Sequence, residues 1–405
     1  MAILVLIDRP AKIRLFLEHG TSDTSLPFDQ KGVEASECFK SWSRLTVSRF
    51  LERQWEVIPY FFNQMNRTTR EPIKIGRHIL PFLFFDKSRH EGATGEIYRA
   101  DIHAQQHDFK KLSKSRHFII KRLHKDYCES RTSFKREFAV LRRFSNNAHP
   151  HIVSLLVAYE HSGSCHFVFP EANSTLAEFW SSSSPFESKQ EGQLLPWMVQ
   201  QCRGLAAGLS RLHRHETSSG RSLLNPSSGL TLKKAKSNEH FEIYGWHGDI
   251  KPENILWFPG PGKEMGTLKI ADFGTAQFSI KLRSHRKPLG YSPTYSAPEF
   301  KFRNPENLIN ALCDVWALGC VYLEALTWAI AGRKLHDHLM QSIKEAPDPG
   351  WYGESESSGK WWRTDFFFMT PCNSDGEKGT PFVKPIVTEI CCVGTRAALI
   401  LAEVS

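Results

Sequence analysis

The stretch that decides the fold is His247-Gly248-Asp249-Ile250-Lys251-Pro252-Glu253-Asn254, which is followed by Asp272-Phe273-Gly274. Between them lie two short apolar runs separated by the turn residues 259–262, and this pattern predicts a β-hairpin. The hairpin would bring Asn254, entering the first strand, beside Asp272, leaving the second. Amide and carboxylate oxygens are ligands that hard cations such as Mg²⁺ prefer. The spacing therefore predicts a magnesium site at the end of the hairpin, with Asp249 in the loop just before it.

The same residues fit the chemistry of phosphoryl transfer. That reaction needs a carboxylate to orient the attacking hydroxyl and accept its proton, a cation near the phosphates, and a metal ion. Asp249 and Lys251 supply the carboxylate and the cation, and Asn254 and Asp272 supply metal ligands. The alternative is that these are turn-forming residues in polar loops, as many isolated Asp and Asn residues are. Their occurrence together in this order favours phosphoryl transfer.

These motifs resemble the catalytic loop and metal-binding motif of the eukaryotic protein kinase family. Ser296-Ala297-Pro298-Glu299 is similar to the motif that closes the family's activation segment, and 314–319 to the start of its central helix. These two features distinguish protein kinases from small-molecule kinases. Lys251 and Ser292 resemble the serine/threonine class. The resemblance spans roughly residues 76 to 330. The segment HGDIKPENIL at 247–256 is similar to the catalytic loop of a divergent group of fungal serine/threonine kinases.

The resemblance implies an α+β, two-lobed protein kinase fold, with ATP between a small β-rich lobe and a larger helical lobe. The family's later helices are hard to find after Cys320, so the larger lobe is expected to be incomplete or rebuilt. The expected division is a helical extension at 1–75, the small lobe at 76–171, the large lobe at 172–345 with insertions at 181–192 and 214–240, and an irregular tail at 346–405.

The resemblance also assigns ATP-binding residues. Lys121 would hold the α and β phosphates and pair with Glu137, which falls on the apolar stripe of a predicted helix. A carboxylate at such a position needs a cationic partner. The remaining nucleotide contacts fall on the glycine-rich loop and its strand, on the strand that carries Lys121, and on the junction between the lobes: Gly92, Gly95, Ile97, Ile119, Phe169, Pro170 and Ala172.

Two departures from the family pattern leave alternatives open. His90 stands where the glycine-rich loop has its first glycine, and Gly248 stands where most members have arginine. With the short C-terminal region, these departures keep a second interpretation open, in which the chain is a pseudokinase that serves as an ATP-binding or scaffold module. The complete set of polar catalytic residues favours an active enzyme. A small-molecule kinase is a third alternative, which the motifs at 296–299 and 314–319 disfavour.

Hydrophobic periodicity predicts the main elements of the chain. Residues 315–326 are apolar nearly all round, which predicts a helix buried in the middle of a domain. Apart from the hairpin, the predicted elements are a helix over 47–58, strands over 79–85, 96–100 and 118–121, and helices over 134–144, 198–212 and 315–326.

Composition sets wider limits on function. The chain has 405 residues, of which 40% are apolar and 23% charged, as in an ordinary globular protein. The net charge of +9 is dispersed, and the basic run at 281–287 is typical of a solvated loop, so we expect no nucleic-acid partner. The family resemblance implies protein substrates. Nine cysteines without a CxxC pair predict reduced thiols in an intracellular, cytoplasmic setting, with a nuclear location open. No membrane span is predicted.

Overall fold

The computed structural model of the chain describes residues 2–65, 69–92, 95–109, 117–123, 132–145, 149–182, 191–217, 241–261, 265–279, 292–298, 311–345, 367–369, 382–383 and 387. The chain divides into two compact units. The first comprises Met1–Phe134 and Ser154–Glu171, and the second comprises Lys135–Val153 and Ala172–Ser405.

The first unit begins with four short helices: α1 Ala2–Leu6, α2 Ile13–Glu18, α3 Gln30–Ala35 and α4 Arg44–Arg53. Ser43 caps α4 by accepting a hydrogen bond from the Thr46 amide, as expected of serine at this position. The predicted helix near 47–58 is thus confirmed, although a 3-10 turn, Gln54–Glu56, replaces its end. The helices have a core of their own: Ile3, Leu4, Ile7, Phe16, Val33, Cys38, Phe39 and Phe50.

A six-stranded sheet forms the rest of the first unit, in the order β1-β5-β6-β4-β3-β2. All neighbouring strands are antiparallel except β1 and β5. The strands are β1 Ile73–Lys74, β2 Phe82–Gly92, β3 Gly95–Ile102, β4 His117–Leu123, β5 Val157–His161 and β6 Ser164–Pro170. The three predicted strands are confirmed, although the first starts later and runs on to Gly92. One face of the sheet packs into a core that includes Tyr98, Ile120, Val157, Val168, Phe62 and Phe109.

Helix α5, Thr132–Arg143, crosses the boundary between the units and confirms the predicted helix there. Two further helices belong to the second unit, α6 Leu176–Ser181 and α7 Glu191–His213. The predicted apolar stripe of α7 is confirmed as a buried face: Met198, Cys202, Leu205, Leu209 and Leu212.

The second unit also contains two small sheets. Strand β7, Ser174–Thr175, pairs with the predicted hairpin, which is formed by β10 Ile255–Phe258 and β11 Thr267–Ile270. Strands β8 Arg214–Thr217, β9 Phe241–Trp246 and β12 Gln277–Ser279 form the other sheet. The expected insertion at 214–240 therefore begins with a strand, while residues 183–190 and 218–240 lie outside the described residues.

The longest helix of the described chain is α8, Ala311–Glu345, which packs against α7. The predicted helix over 315–326 is confirmed within α8 and most of its residues are buried or partly buried, although the Val315 side chain is 54% exposed while Val321 is fully buried. The apolar pattern cannot separate a helix enclosed on all sides from one covered mainly on one side. At Gly332 the backbone leaves the helical region (φ 73°, ψ −174°) and divides α8 in two.

Helix α8 is also the one described helix that is long and apolar enough to cross a membrane, over Ala311–Ile343. The break at Gly332 interrupts that stretch. Asp314 and Glu324 lie within it, buried and hydrogen-bonded to protein partners. These features are typical of a core helix, which passes the same test of length and composition. The expectation of no membrane span stays a prediction.

The described part of the tail contains a pair of short strands, and the expectation of an irregular tail at 346–405 stays a prediction. Phe368–Met369 and Phe382–Val383 form an antiparallel pair, β13 and β14. Phe367 and Val387 are both buried. Side chains from this part of the chain thus contribute to the second unit, and short strands of two residues carry too little pattern to be predicted.

One expectation about cysteine is wrong. Cys165, in β6, is disulfide-bonded. The other four described cysteines, Cys38, Cys202, Cys313 and Cys320, are buried free thiols, as expected.

Candidate active site

Three polar side chains meet at the loop after β9, two from the loop itself and one from the segment at 292. Lys251 Nζ lies 2.9 Å from Asp249 Oδ2. Ser292 Oγ donates a hydrogen bond to Asp249 Oδ1 over 2.7 Å and accepts one from Lys251 Nζ over 2.9 Å. Asp249 and Lys251 are only partly exposed, with side-chain exposures of 15% and 25%. The cluster therefore holds a carboxylate and a cation in fixed positions next to each other.

Asn254 is the fourth member of this group. Its Nδ2 donates to the Asp249 backbone carbonyl over 2.8 Å and to Asp249 Oδ2 over 3.0 Å. Both amide protons are thereby used, so Oδ1 is the atom through which Asn254 could bind a cation. The 3-10 turn Pro252–Asn254 sets this orientation immediately before β10 begins.

The predicted meeting of the two hairpin ends is confirmed. Ile255 pairs with Ile270, and the Ala271 amide donates to the Asn254 carbonyl over 2.9 Å, so Asp272 follows directly at the same end of the hairpin. Asp272 has a left-handed backbone (φ 57°, ψ 79°), which is uncommon for a non-glycine residue and concentrates at functional sites.

The donor set at this end of the hairpin fits Mg²⁺. One amide oxygen and one carboxylate are hard ligands, and Mg²⁺ usually takes one or two protein groups and completes its shell with phosphate and water oxygens. No group of three or more candidate metal-binding side chains occurs among the described residues. Asn254 and Asp272 therefore could hold a cation that arrives with a phosphate ligand, in agreement with the sequence-based assignment.

Backbone contacts from α8 fix the loop. Asp314 accepts hydrogen bonds from the His247 amide over 2.6 Å and the Gly248 amide over 2.8 Å, and also contacts His213 Nε2 at 2.9 Å. The His247 ring lies 2.9 Å from the Ala271 carbonyl through Nε2 and accepts from the Asp249 amide through Nδ1. A proton on Nε2 satisfies both contacts.

Gly248, the departure from the family pattern, has a local structural role. Its φ of +85° lies in the region that favours glycine, and a Cβ atom at this position would lie 3.3 Å from the Thr275 carbonyl oxygen. A side chain here would meet both backbone strain and a close neighbour. The glycine thus lets the loop reach Asp314 and Thr275 without strain.

The nucleotide residues predicted in the first unit share one face of the sheet. Lys121 pairs with Ile97 on one side and Phe167 on the other, and Ile119 pairs with Phe169. Because directly paired residues point to the same side of a sheet, Ile97, Ile119, Lys121 and Phe169 lie on the face opposite the core. Lys121 is only 5% exposed.

The glycine-rich region is an extension of two strands. Gly92, the last residue of β2, pairs with Gly95, the first residue of β3. A Cβ at Gly95 would lie 2.4 Å from the Arg122 carbonyl oxygen, so close strand packing requires glycine there. His90 falls within β2. No described contact tests the expected role of these backbone amides in phosphate binding.

The remaining predicted site residues are less closely placed. Pro170 is buried and pairs with Phe118, on the core side of the sheet. Glu137 is only 4% exposed and lies in the second unit, as does Ala172. A buried carboxylate needs a partner, but the pairing of Glu137 with Lys121 joins residues of different units and stays a prediction.

Ser292 and Asp314 were not predicted as site residues, although both lie in motifs that the sequence analysis identified. Ser292 contacts Asp249 across 43 residues of chain and Asp314 contacts Gly248 across 66. Besides the motif at 314–319, the sequence signal for Asp314 is a carboxylate at the start of an apolar helix, where a buried charge needs donors.

Comparison with known proteins gives matches over both units. The sequence model of the protein kinase domain matches residues 242–356, and that of protein tyrosine and serine/threonine kinases matches residues 84–218. The fold and the site define a protein kinase domain. The chain belongs to the eukaryotic protein kinase family, and its sheet-rich first unit and helical second unit confirm the α+β class.

Three curated relatives are protein kinases by name. Serine/threonine-protein kinase Nek1 of Mus musculus is 28% identical over 221 residues, 54% of this chain and 15% of the relative. Probable cyclin-dependent kinase 8 of Dictyostelium discoideum is 38% identical over 95 residues, 22% of this chain and 23% of the relative. MAP kinase kinase kinase win1 of Schizosaccharomyces pombe is 32% identical over 120 residues, 23% of this chain and 8% of the relative.

The chain spans less than a quarter of the length of each of these relatives. The resemblance to fungal kinases with an HGDIKPEN loop stays a prediction.

Proposed function

We propose that the chain is a serine/threonine protein kinase that transfers the γ-phosphate of ATP to protein hydroxyl groups. The observation that carries this proposal is the cluster in which Asp249, Lys251 and Ser292 contact one another within 2.9 Å and Asn254 donates to Asp249. Two of the curated relatives support the same class by name: one is named a serine/threonine-protein kinase and the other a MAP kinase kinase kinase.

The chemistry follows from the atoms available. Asp249 is positioned to accept the proton of an attacking serine or threonine hydroxyl as its oxygen bonds to phosphorus. Lys251 places a positive charge beside that carboxylate, where negative charge on the transferred phosphoryl group is stabilised. Asn254 and Asp272 would hold Mg²⁺, which neutralises phosphate charge when bound. Lys121, paired with Glu137, would hold the α and β phosphates.

Nucleotide recognition is the finer part of the proposal. Ile97, Ile119 and Phe169 form the apolar surface beside Lys121 on which the adenine would lie, and Pro170 and Ala172 would offer a backbone carbonyl and amide to its edge. Gly92 and Gly95 would bring backbone amides to the phosphates. We further propose protein substrates, no nucleic-acid or membrane partner, and an intracellular setting in the cytoplasm or nucleus.

The direct test is transfer of labelled γ-phosphate from Mg-ATP to the chain itself and to a generic basic protein. We expect label on serine and threonine with the wild type, and its loss with Asp249→Asn, which removes the proton acceptor. Asp86→Asn is the matched control, because Asp86 is exposed and lies in β2 of the first unit. It should label as the wild type does.

Nucleotide binding separates the remaining alternatives. If the folded wild type transfers no phosphate but still binds Mg-ATP, the kinase proposal is contradicted and the pseudokinase alternative is supported. Labelling of a small alcohol without labelling of any protein would instead favour a small-molecule kinase.

A further inference from the structure

Helix α8 carries an apolar stripe that is open at the surface of the second unit. Leu312 is 65% exposed and Val315 is 54% exposed. A Cβ atom at Gly319 would meet nothing within 4 Å, so the surface above this glycine is open. Tyr322 and Leu326 continue the stripe and are partly buried. These five positions recur at intervals of three, four, three and four residues, so they lie on one side of the helix.

The composition of this stripe does not suit contact with water. The opposite side of the helix is closed, since Ala317, Val321 and Trp328 are buried there. Between Val315 and Gly332 the one charged residue is Glu324, and it too is buried. A helix face that meets solvent is normally charged or polar, and contiguous exposed apolar surface marks an interaction site. The stripe is therefore suited to an apolar partner.

The C-terminal segment at 390–404, which lies outside the described residues, has the matching sequence pattern. Five apolar residues recur in it with the same intervals of three, four, three and four residues: Ile390, Val393, Ala397, Ile400 and Val404. At 100° per residue, the polar Thr395 falls on the opposite side of such a helix. Apolar positions that recur every 3.5 residues on two helices favour packing side by side at a small crossing angle.

The two patterns also match in length and in the size of their central residues. Each covers fourteen residue steps, which is about 21 Å of helix. Gly319 is the middle position of the stripe on α8, and Ala397 is the middle position of the C-terminal pattern. Small residues at the centre let two helices approach closely. Because both are central, they meet whichever way the second helix runs.

The strand pair formed by β13 and β14 brings the chain to the first turns of α8. The ring of Phe367, directly before β13, lies 6.0 Å from the ring of Tyr295. Tyr295 in turn lines one pocket together with Cys313 and Ala317 of α8. This end of the strand pair is therefore anchored beside the part of α8 that carries the stripe.

The length of chain after the strand pair is sufficient for the segment to reach the stripe. Val383 ends β14, and Val387, four residues later, is buried. Ile390 follows Val383 by seven residues, so it lies within about 25 Å of the strand pair. The stripe itself is about 21 Å long. A helix that begins at Ile390 can therefore lie along it.

We propose that residues 390–404 form a helix that docks on the stripe of α8, with Ala397 against Gly319. The docked helix covers the turn of α8 from which Asp314 accepts the His247 and Gly248 amides, so it adds packing behind the residue that holds the catalytic loop. An isolated helix of about 15 residues is marginal in water, so protection of the segment from hydrogen exchange reports its docking. Such protection is measurable whether or not the chain transfers phosphate.

The test measures hydrogen exchange at amides 394–404 of the full chain by mass spectrometry. We expect exchange in the wild type at least about tenfold slower than in the chain unfolded by denaturant. Val315→Asp places a charge in the stripe and should return these amides to the unfolded rate. Val199→Asp is the matched control, because Val199 is 52% exposed on α7 of the same unit, and it should keep the protection.

A second pair of variants changes the segment and leaves α8 intact. Ala397→Asp should remove the protection, whereas Thr395→Asp, on the opposite side of the proposed helix, should keep it. Exchange at the unfolded rate in the wild type, or equal protection in all four variants, would overturn the proposal. A wild-type dimer in sedimentation that Val315→Asp dissociates, with the segment exchanging at the unfolded rate, would overturn it too and assign the stripe to a second copy of the chain.

Discussion

His166 is a buried titratable residue whose charge state bears on stability. In β6 it pairs with Tyr159 of β5 and Arg122 of β4, and its ring stacks on Tyr159 with centroids 4.5 Å apart. Nδ1 has no hydrogen-bond partner among the described residues. Burial, followed by the charges of Arg122 and His161, lowers the pKa of His166 to about 4.

This lowered pKa predicts acid sensitivity. An unfolded histidine gains a proton near pH 6.5, whereas folded His166 resists protonation until about pH 4, so stability falls as pH decreases through that window. We expect the wild type to lose about 2 kcal/mol of unfolding free energy between about pH 7.5 and 5 from this group. His166→Phe keeps the ring stacking but has no group to protonate. Its unfolding free energy, measured by denaturant unfolding, should therefore fall by about 2 kcal/mol less than that of the wild type over this pH range. An equal loss of unfolding free energy in the wild type and His166→Phe would contradict the prediction. His103→Phe is the control, because His103 is exposed, and its loss over this pH range should equal that of the wild type.

Among single residues, the sequence predicts the site members that lie close to one another along the chain. Asp249, Lys251 and Asn254 fall within six positions, and the hairpin that adds Asp272 has the turn residues that specify it. Ser292 joins Asp249 through a contact between distant segments, which no local pattern encodes. The buried His166 likewise depends on strand register, and histidine alone does not distinguish a core position from a surface one.

Helix α7 is positioned by close contact with the segment before β5. A Cβ atom at Gly204 would lie 2.0 Å from the His151 ring, and Gly208 lies close to His149 and Ile152. The His151 ring cannot move freely, because its Nδ1 contacts the Leu268 carbonyl at 2.8 Å. The two glycines thus allow α7 to approach the segment that leads to the hairpin.

We therefore expect Gly204→Ala to destabilise the chain by about 1–3 kcal/mol through overpacking, despite the helix preference of alanine. Gly192→Ala is the matched control in the same helix, because a Cβ there meets nothing within 4 Å. It should be neutral or stabilising by up to about 1 kcal/mol. Thermal unfolding of both variants tests this, and equal stability of the two would contradict the packing argument.

Elements with a regular period were predictable, and elements shaped by tertiary contacts were not. The α7 stripe and the β10–β11 hairpin follow directly from spacing and turn residues. The break in α8 at Gly332 was not predicted, because a single glycine is also tolerated inside a helix. After the break, Arg333 donates to the Ser181 carbonyl and the His336 ring lies near the Trp180 ring, and no local pattern encodes these contacts.

The N-terminal helices show the limit of sequence reasoning for the whole molecule. Residues 2–57 carry no motif, yet they form a core of eight buried residues. They contact the segment between β1 and β2 through the Glu52–Arg77 ion pair and the Trp55–His78 ring contact at 4.6 Å. Motif order identifies the kinase family, whereas the arrangement of this region depends on packing that the motifs do not encode.

The Asp249–Ser292 contact is the centre of the proposed activity of the whole molecule, and a double-mutant cycle on phosphate transfer tests this role most directly. We expect Asp249→Asn to slow single-turnover transfer about 10²–10⁴-fold and Ser292→Ala about tenfold, with Ser292→Thr near the wild type. If the two side chains act as one unit, adding Ser292→Ala to Asp249→Asn costs little more than Asp249→Asn alone. Fully multiplicative losses, or an Asp249→Asn variant as fast as the wild type, would contradict the account.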